Sequence, residues 1–373
     1  MHIETIAVHA GAEPDPATGS IAPPIHLSTT FAHGPASERT HGYLYIRDEN
    51  PTQDRLEAAM RQLEGGEAAL GFASGMGAAA ALLQTLEPGS HAIFPEDVYV
   101  HIRVAHQDFL PKWRVDTSVV DTQSADAVRR ALRPTTRLLW LETPSNPRMK
   151  ITDIAAVSEI GHAAGALVVV DNTFATPALQ RPLELGADIA LHSTTKYCGG
   201  HSDVQGGCLV LKRRAPLYER LYHARMVLGA VASPFNSWLV LRGLRTLPCR
   251  MERHSANAQA VAEALARCRK VETVFYPGLE LHPGHEVARR QMKAFGGMLS
   301  FLVRGGWAEA VEVASRVKLF QNATSLGGVE SLIEHRASAE GKSTTAQPNL
   351  LRLSVGLEHP DDLIEDLMQA LGE

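Results

Sequence analysis

The sequence predicts an α/β protein with a large, mostly parallel sheet followed by a smaller C-terminal α/β unit. The chain has 373 residues, of which 45% are hydrophobic, and this is enough for two domains with their own cores. Between residues 52 and 212, short apolar runs alternate with helix-like segments, a pattern typical of a parallel sheet covered on both faces. The last hundred residues contain a second series of strand-like runs.

Seven apolar runs predict the strands of the large sheet. In chain order they are ALGFAS, HAIFP, VDTSVV, RLLWLET, ALVVVDN, ADIALHS and CLVLK. Helical spacing or a high alanine content predicts helices between them at 75–86, after Tyr99, at 124–132 and at 153–164. Parallel strands buried on both faces have such continuous apolar runs.

The two ends of the chain differ from this central part. Residues 1–50 are irregular, and we expect an N-terminal arm that contacts a neighbouring subunit, or alternatively a flexible tail. After a largely helical stretch, a long helix beginning near Thr246 leads to the second unit, which gives a large domain at 51–245 and a small domain at 246–373. In the small domain, strands are predicted at VETVFYP, MLSFLV, LFQNATS and LLRLSVG, and helices at 307–317 and 360–371.

Composition excludes several classes of function. The net charge of −5 and the pI near 6.4 do not favour nucleic acid or anionic membranes. No HExxH and no paired CxxC pattern occurs, so we expect no metal site. Four cysteines without disulfide spacing, no signal peptide pattern and no long apolar run predict a cytoplasmic protein.

A lysine and an aspartate at the ends of two predicted strands are the most informative residues. Asp171 ends the run VVVD, and Lys196 follows 25 residues later in HSTTKYCGGHSD. Each alone is compatible with a solvated lysine or a turn-forming aspartate. Together they suit pyridoxal phosphate, which needs a lysine for covalent attachment and a carboxylate that keeps its pyridine nitrogen protonated. The pair therefore predicts a pyridoxal phosphate enzyme.

The segment FASGMGA follows a predicted strand and opens a helix. Small residues allow the backbone to approach an anion, and the amides at a helix N-terminus hydrogen-bond to it. A packing helix rich in alanine and glycine is the alternative. A nicotinamide-dependent dehydrogenase is disfavoured, because no G-x-G-x-x-G opens the first strand–helix unit.

With these motifs, the chain resembles the Cys/Met-metabolism pyridoxal phosphate enzymes of fold type I. This family includes cystathionine γ-synthases, γ-lyases and β-lyases, methionine γ-lyase and O-acylhomoserine sulfhydrylases. The resemblance extends from PPIHLSTTF to LLRLSVGLEHPDDLIEDL. It implies a fold type I transferase-like architecture, pyridoxal 5′-phosphate as cofactor, amino acids as substrates and a homotetramer built as a dimer of active dimers.

The resemblance also implies roles for individual residues. The cofactor phosphate is expected to contact Ser74, Gly75, Met76, Ser193 and Thr195. In the motif YLYIRDENPT, two further phosphate ligands, Tyr45 and Arg47, are expected to reach the phosphate of the partner subunit. A surface ion pair is the alternative for this motif.

The remaining expected site residues lie around the reacting atoms. Lys196, Asp171 and Tyr99 are the expected catalytic residues, with Tyr99 stacked on the pyridine ring. Asn146 is expected beside the cofactor's phenolic oxygen and the substrate, and with Ser325 and Arg352 it forms the expected substrate-binding set. In the family, the arginine clamps the substrate α-carboxylate, for which a bidentate guanidinium is well suited.

Three segments depart from the family pattern. Tyr99 is followed by Val100, His101 and Ile102 instead of Gly-Gly-Thr, and Thr324 replaces a glutamate common in the cystathionine branch. The segment EHRASAEGKSTTAQPN is short and lacks a Thr-His pair.

The expected function is γ-elimination or γ-replacement on sulfur amino acids, as in a cystathionine γ-synthase or γ-lyase. A C–S β-lyase that gives pyruvate and ammonia is the alternative. A non-catalytic pyridoxal phosphate-binding regulatory protein is a remote one, because fold alone does not fix function.

Overall fold

The computed structural model describes residues 1–214 and 216–373. Its large sheet has seven strands in the order β1-β7-β6-β5-β4-β2-β3. These strands are β1 Ala68–Phe72, β2 His91–Pro95, β3 Asp116–Val120, β4 Thr136–Glu142, β5 Leu167–Asp171, β6 Ile189–His192 and β7 Gly207–Leu211. Only β7 runs antiparallel to its neighbours. The prediction of a mostly parallel, seven-stranded sheet is confirmed.

The second sheet has five strands in the order β10-β11-β12-β9-β8. They are β8 Val271–Phe275, β9 Met298–Val303, β10 Gln321–Asn322, β11 Leu332–His335 and β12 Leu350–Ser354. The run LFQNATS, predicted as a full strand, contributes only the two residues of β10. The strand β11, which the sequence did not predict, pairs with β12 in antiparallel fashion.

Helices cover both sheets. Those of the N-terminal two thirds are α1 Ile3–His9, α2 Pro51–Glu64, α3 Gly75–Leu83, α4 Val100–Val104, α5 Ala125–Ala131, α6 Ile154–Ala163, α7 Thr176–Leu179, α8 Pro216–Leu228, α9 Pro234–Leu244 and α10 Leu247–Arg267. The last four are α11 His285–Gln291, α12 Trp307–Arg316, α13 Arg336–Glu340 and α14 Pro360–Leu371. As predicted, the long helix α10 begins just after Thr246 and lies between the two sheets in the chain.

The large sheet is buried on both faces. Phe72 and Trp140 pack in the cluster that includes α3, whereas Val168 and Val170 pack against α6 on the opposite side. Burial of both faces explains why the strand runs are continuously apolar rather than alternating. Polar side chains appear where the strands end, and the carboxyl ends of β4, β5 and β6 carry Glu142, Asp171 and His192.

The N-terminal segment is more ordered than the sequence suggests. Its first residues form α1, whose Ile3 and Ala7 are buried against α2. From residue 10 to residue 50 the segment has no long helix or strand. Among the residues that the structure describes, no helix is both long enough and apolar enough to cross a membrane.

Candidate active site

A cavity of about 250 Å³ lies at the carboxyl ends of β4, β5 and β6. Strands that run parallel end at one edge of the sheet, which is where ligand sites of such folds lie. The structure brings most of the predicted site residues together here. They are Ser74, Gly75, Met76, Tyr99, Asn146, Asp171, Ser193, Thr195, Lys196, Ser325 and Arg352.

Lys196 lies in the turn that follows β6, and its side chain enters the cavity. Its Nζ donates a hydrogen bond of 2.6 Å to the Ser325 Oγ. Burial, together with the positive charge of Arg352, lowers the pKa of Lys196 to about 8. Ser325 has a φ of 101°, a conformation rare for a residue with a side chain, and this turn brings its hydroxyl to the lysine. The cavity therefore holds an amine that is readily deprotonated.

Two carboxyl groups, Glu142 and Asp171, end neighbouring strands at the cavity. Burial raises the pKa of both, and the charge of Asp171 raises that of Glu142 further. Hydrogen bonds from Thr173 and the charge of His192 oppose this rise at Asp171. Of the two carboxyl groups, Asp171 is therefore the one whose ionised form its neighbours Thr173 and His192 favour.

A buried ion pair lies behind Asp171. The Nε2 of His192 is 2.6 Å from the Glu64 Oε1, and both side chains are fully buried. Burial disfavours a charged imidazole, but the neighbouring Cys198 and Glu64 raise the pKa of His192 to about 10. The sequence analysis did not identify this pair, because Glu64 is more than a hundred residues away in the chain.

The loop before α3 forms a compact anion cradle. The Ser74 Oγ caps α3 by accepting a 3.0 Å hydrogen bond from the Gly77 amide. A Cβ at Gly75 would lie 2.8 Å from the Ser193 Cβ, so only glycine allows this close approach. The first amides of α3 thus lie beside Ser193 and Thr195 on one wall of the cavity.

Arg352 lies on β12, at the opposite wall. Its Nη1 donates to the Asn146 Oδ1 at 3.1 Å, and its Nη2 donates to the Ser325 carbonyl at 3.0 Å and to Glu334 at 2.7 Å. The guanidinium is almost fully buried and is held in position before any carboxylate arrives. This arrangement suits an amino-acid carboxylate.

Sequence analysis missed the residues that support Arg352. Glu334 also forms an ion pair with Arg336, which lines the cavity. Arg336 forms a second ion pair with Glu340, and Glu340 forms a third with Arg103. Three of these residues belong to EHRASAEG, the segment that departs from the family pattern. The alternation of acids and arginines in that segment was the available signal.

Tyr99 immediately precedes α4, and its backbone amide donates to the Glu142 Oε2 at 2.8 Å. Its hydroxyl is 2.7 Å from the Nδ1 of His101. Burial raises the pKa of Tyr99, whereas the charge of Arg336 lowers it. The structure therefore joins one of the unusual residues of the sequence to a predicted catalytic residue.

Tyr45 and Arg47 are not among the residues that line the cavity. Tyr45 is 42% exposed, and the Arg47 guanidinium lies 5.2 Å from the centre of its ring. Their predicted contact with the phosphate of a partner subunit stays a prediction.

The polar groups that line the cavity fit pyridoxal phosphate. An amine of lowered pKa, a buried carboxyl group with neighbours that favour its charge, a helix N-terminus with hydroxyls for a phosphate and a buried guanidinium lie in one cavity. Together with the sheet, they define a pyridoxal phosphate-dependent enzyme of fold type I.

Comparisons with known proteins identify the family. The model of the Cys/Met metabolism PLP-dependent enzymes matches residues 4–372. A cystathionine γ-synthase of Mycobacterium tuberculosis is 48% identical over 99% of this chain and 96% of its own. A cystathionine β-lyase of Coxiella burnetii is 44% identical over 99% of this chain and 98% of its own. The chain belongs to the Cys/Met metabolism PLP-dependent enzyme family.

A solved structure shows the same architecture. It is a cystathionine γ-synthase of Xanthomonas oryzae pv. oryzae in complex with cystathionine, 42% identical, and it matches with a TM-score of 0.96 over 100% of this chain and 98% of that one. The predictions of a pyridoxal phosphate cofactor and of an enzyme of the C–S lyase or γ-synthase class are confirmed.

Proposed function

We propose that the chain catalyses γ-replacement in the manner of a cystathionine γ-synthase, exchanging the acyl group of an O-acylhomoserine for the thiol of cysteine. The observation that carries the proposal is the 48% identity with a cystathionine γ-synthase over nearly the full length of both chains. The similarity to a γ-synthase solved with cystathionine supports it. A γ-lyase acting on cystathionine would use the same groups to expel cysteine from Cγ, and its products would be 2-oxobutanoate and ammonia.

The proposed roles in cofactor binding follow from the placement of the side chains. Lys196 would attach the cofactor, and Asp171, whose charged form the Thr173 amide supports, would pair with its pyridine nitrogen. The phosphate would be held by Ser74, Gly75, Met76, Ser193 and Thr195, while Tyr99 would lie against the ring and Asn146 would bind the phenolic oxygen. When bound, pyridoxal phosphate supplies an electron sink for charge that develops at the substrate Cα.

The proposed substrate contacts lie on the opposite wall of the cavity. Arg352, positioned by Asn146 and Glu334, binds the α-carboxylate, and the Ser325 hydroxyl assists at that end. Lys196, once released from the cofactor, takes the proton from Cα and then moves a proton at Cβ so that the γ-substituent departs. A pKa of about 8 suits these transfers, because an efficient general base titrates close to the working pH.

Assembly is also part of the proposal. Tyr45 and Arg47 of one chain complete the phosphate site of its partner, so that the functional unit is a dimer, with the tetramer as a dimer of dimers. The arm at 1–50 lies against that partner, while the large domain extends over 51–245 and the small domain over 246–373. A cytoplasmic location remains part of the prediction. The exposure of Tyr45 supports a contact outside its own chain.

A β-lyase is the second candidate. The 44% identical cystathionine β-lyase of Coxiella burnetii favours it. In this reaction a β-thiolate leaves directly, and the products are pyruvate and ammonia.

The test is to identify the products of the purified enzyme with each class of substrate. With an O-acylhomoserine and cysteine, we expect cystathionine. With cystathionine alone, 2-oxobutanoate would indicate a γ-lyase, whereas pyruvate would support the β-lyase and contradict γ-replacement. Lys196→Ala serves as the control, and we expect its activity to fall by a factor of about 1,000, within the range observed for loss of a general acid–base group.

A further inference from the structure

The hydroxyl of Tyr99 has an unusual neighbour. His101 is two residues further along the chain, in α4, and its Nδ1 lies 2.7 Å from the Tyr99 Oη. The centres of the two rings are 5.1 Å apart, and the ring planes are tilted by 58°. Tyr99 is half-buried at the cavity, whereas His101 is exposed. The pair therefore connects the cavity to solvent through two side chains that can both carry a proton.

The imidazole of His101 contacts the Tyr99 hydroxyl directly and can therefore accept its proton. Arg336 and Arg352 lower the pKa of Tyr99, and Glu142 and Asp171 raise it, but burial is the largest influence and the net pKa is raised. The Glu142 carboxyl accepts a hydrogen bond from the backbone amide of Tyr99, whereas the Tyr99 hydroxyl contacts His101. A buried phenol is a poor base by itself, so it needs a neighbour that takes its proton as it accepts another.

We propose that His101 is a positioning residue for γ-replacement, and that it withdraws the proton of the incoming thiol through Tyr99. This inference rests on the proposed function. As the thiol sulfur bonds to the substrate Cγ, its S–H bond breaks and that proton passes to the Tyr99 oxygen. The phenol's own proton moves at the same time to the His101 Nδ1.

The proton then leaves by the solvent side. The imidazolium formed in this step releases its Nε2 proton to water, and no other reactant is consumed. The neutral imidazole left behind carries its proton on Nδ1, and exchange with water returns it to the acceptor form. Histidine is suited to this task because its charge changes close to neutral pH.

Elimination without a thiol provides an internal comparison. Without cysteine, the proposed enzyme would release the acyl group from an O-acylhomoserine and give 2-oxobutanoate and ammonia, and that route has no thiol proton to remove. A loss of the His101 imidazole should therefore slow replacement selectively. A merely structural effect on Tyr99 or α4 would slow both routes.

The experiment compares the holoenzymes of the wild type, His101→Asn and the control His162→Asn. His162 is also exposed and hydrogen-bonded, to Asp188 at 3.0 Å, but it lies on α6 and does not line the cavity. For His101→Asn we expect the kcat of replacement to fall about 100-fold, as for the loss of a general base. Elimination without cysteine should change by less than about 2-fold, since general-base assistance to the thiol is absent from that route.

Two further readouts separate proton transfer from packing. The acid limb of the pH profile for replacement should move in His101→Asn, and added imidazole should restore replacement there, because the position is open to solvent. In the double variant His101→Asn with Tyr99→Phe, added imidazole should not restore replacement.

An equal loss in both routes, or a replacement rate and acid limb equal to those of the wild type, would overturn the role of His101. If the wild type makes no thioether product, the proposed function itself fails and this role with it.

Discussion

At the scale of single residues, the chemistry of the site depends on how burial and neighbouring charges shift the pKa values of ordinary side chains. Lys196 has a depressed pKa because it is buried beside Arg352. Burial raises the pKa of Asp171, whereas the hydrogen bonds from Thr173 and the charge of His192 favour its ionised form. These two groups were predicted from the sequence, since a lysine and an acid at adjacent strand ends form a specific pattern.

The pKa of Lys196 makes a direct prediction about cofactor attachment. Only the neutral amine reacts with an aldehyde, so the rate of covalent attachment to the cofactor-free chain should rise as the pH passes through about 8, rather than through the ordinary lysine value of 10.5. Borohydride trapping at a series of pH values, followed by peptide mapping of Lys196, measures this rate. A midpoint close to the ordinary value would contradict the burial of the amine.

The contacts that hold Arg352 in position could not be predicted from the sequence. Its own role follows from the family resemblance, but Glu334 contacts it because β11 pairs with β12, and Arg336 contacts Glu334 in turn. A sequence does not show which acid meets which arginine when their partners are set by strand register. The two unusual residues, His101 and Thr324, were identified as departures, yet only the structure shows that His101 meets the Tyr99 hydroxyl.

At the scale of elements, the apolar strands of the large sheet were predictable and the short polar elements were not. The strand β11 is missed because Glu334 and His335 interrupt its apolar pattern, although all four of its residues are buried. Helix α1 has only seven residues and depends on packing of Ile3 and Ala7. The run LFQNATS leaves the sheet early because the chain turns toward Ser325, whose φ is positive.

The buried ion pair between Glu64 at the end of α2 and His192 at the end of β6 is predicted to stabilise the fold in a pH-dependent way. The pKa of His192 is raised to about 10, above the 6.5 of an unfolded chain, so the contribution of its pair with Glu64 is full below about pH 6.5 and lost as the pH rises through 10. At pH 6, Glu64→Gln should therefore lower the free energy of unfolding by about 3 kcal/mol, the usual cost of breaking a buried pair.

Urea denaturation of Glu64→Gln at pH 6 and at pH 10 measures this effect. The control is Glu67→Gln, which changes an exposed acid three residues further along the chain. A loss of the same size at both pH values would contradict a charged His192.

At the scale of the whole molecule, two sheets and the loops at the carboxyl ends of the strands enclose one cavity. Its walls come from residues as distant as Ser74 and Arg352. The site is proposed to be completed by a second chain, because Tyr45 and Arg47 lie outside this cavity.

Mixed dimers test this sharing. Arg47→Ala and Lys196→Ala should each be inactive, but a dimer with one copy of each has one site that combines an intact Lys196 with an intact Arg47 from the other chain. Random exchange of subunits should therefore restore about a quarter of the wild-type activity, as expected for a two-fold dimer. If mixing restores nothing while size-exclusion chromatography shows exchange, Arg47 does not act across the interface.

γ-Replacement is tested by the mass spectrum of the product formed from an O-acylhomoserine and cysteine in D₂O. We expect cystathionine that carries deuterium at Cα and at Cβ of the homoserine-derived half, because Lys196 moves protons at both carbons. Pyruvate in place of a thioether, or cystathionine without deuterium at Cβ, would contradict γ-replacement by this route.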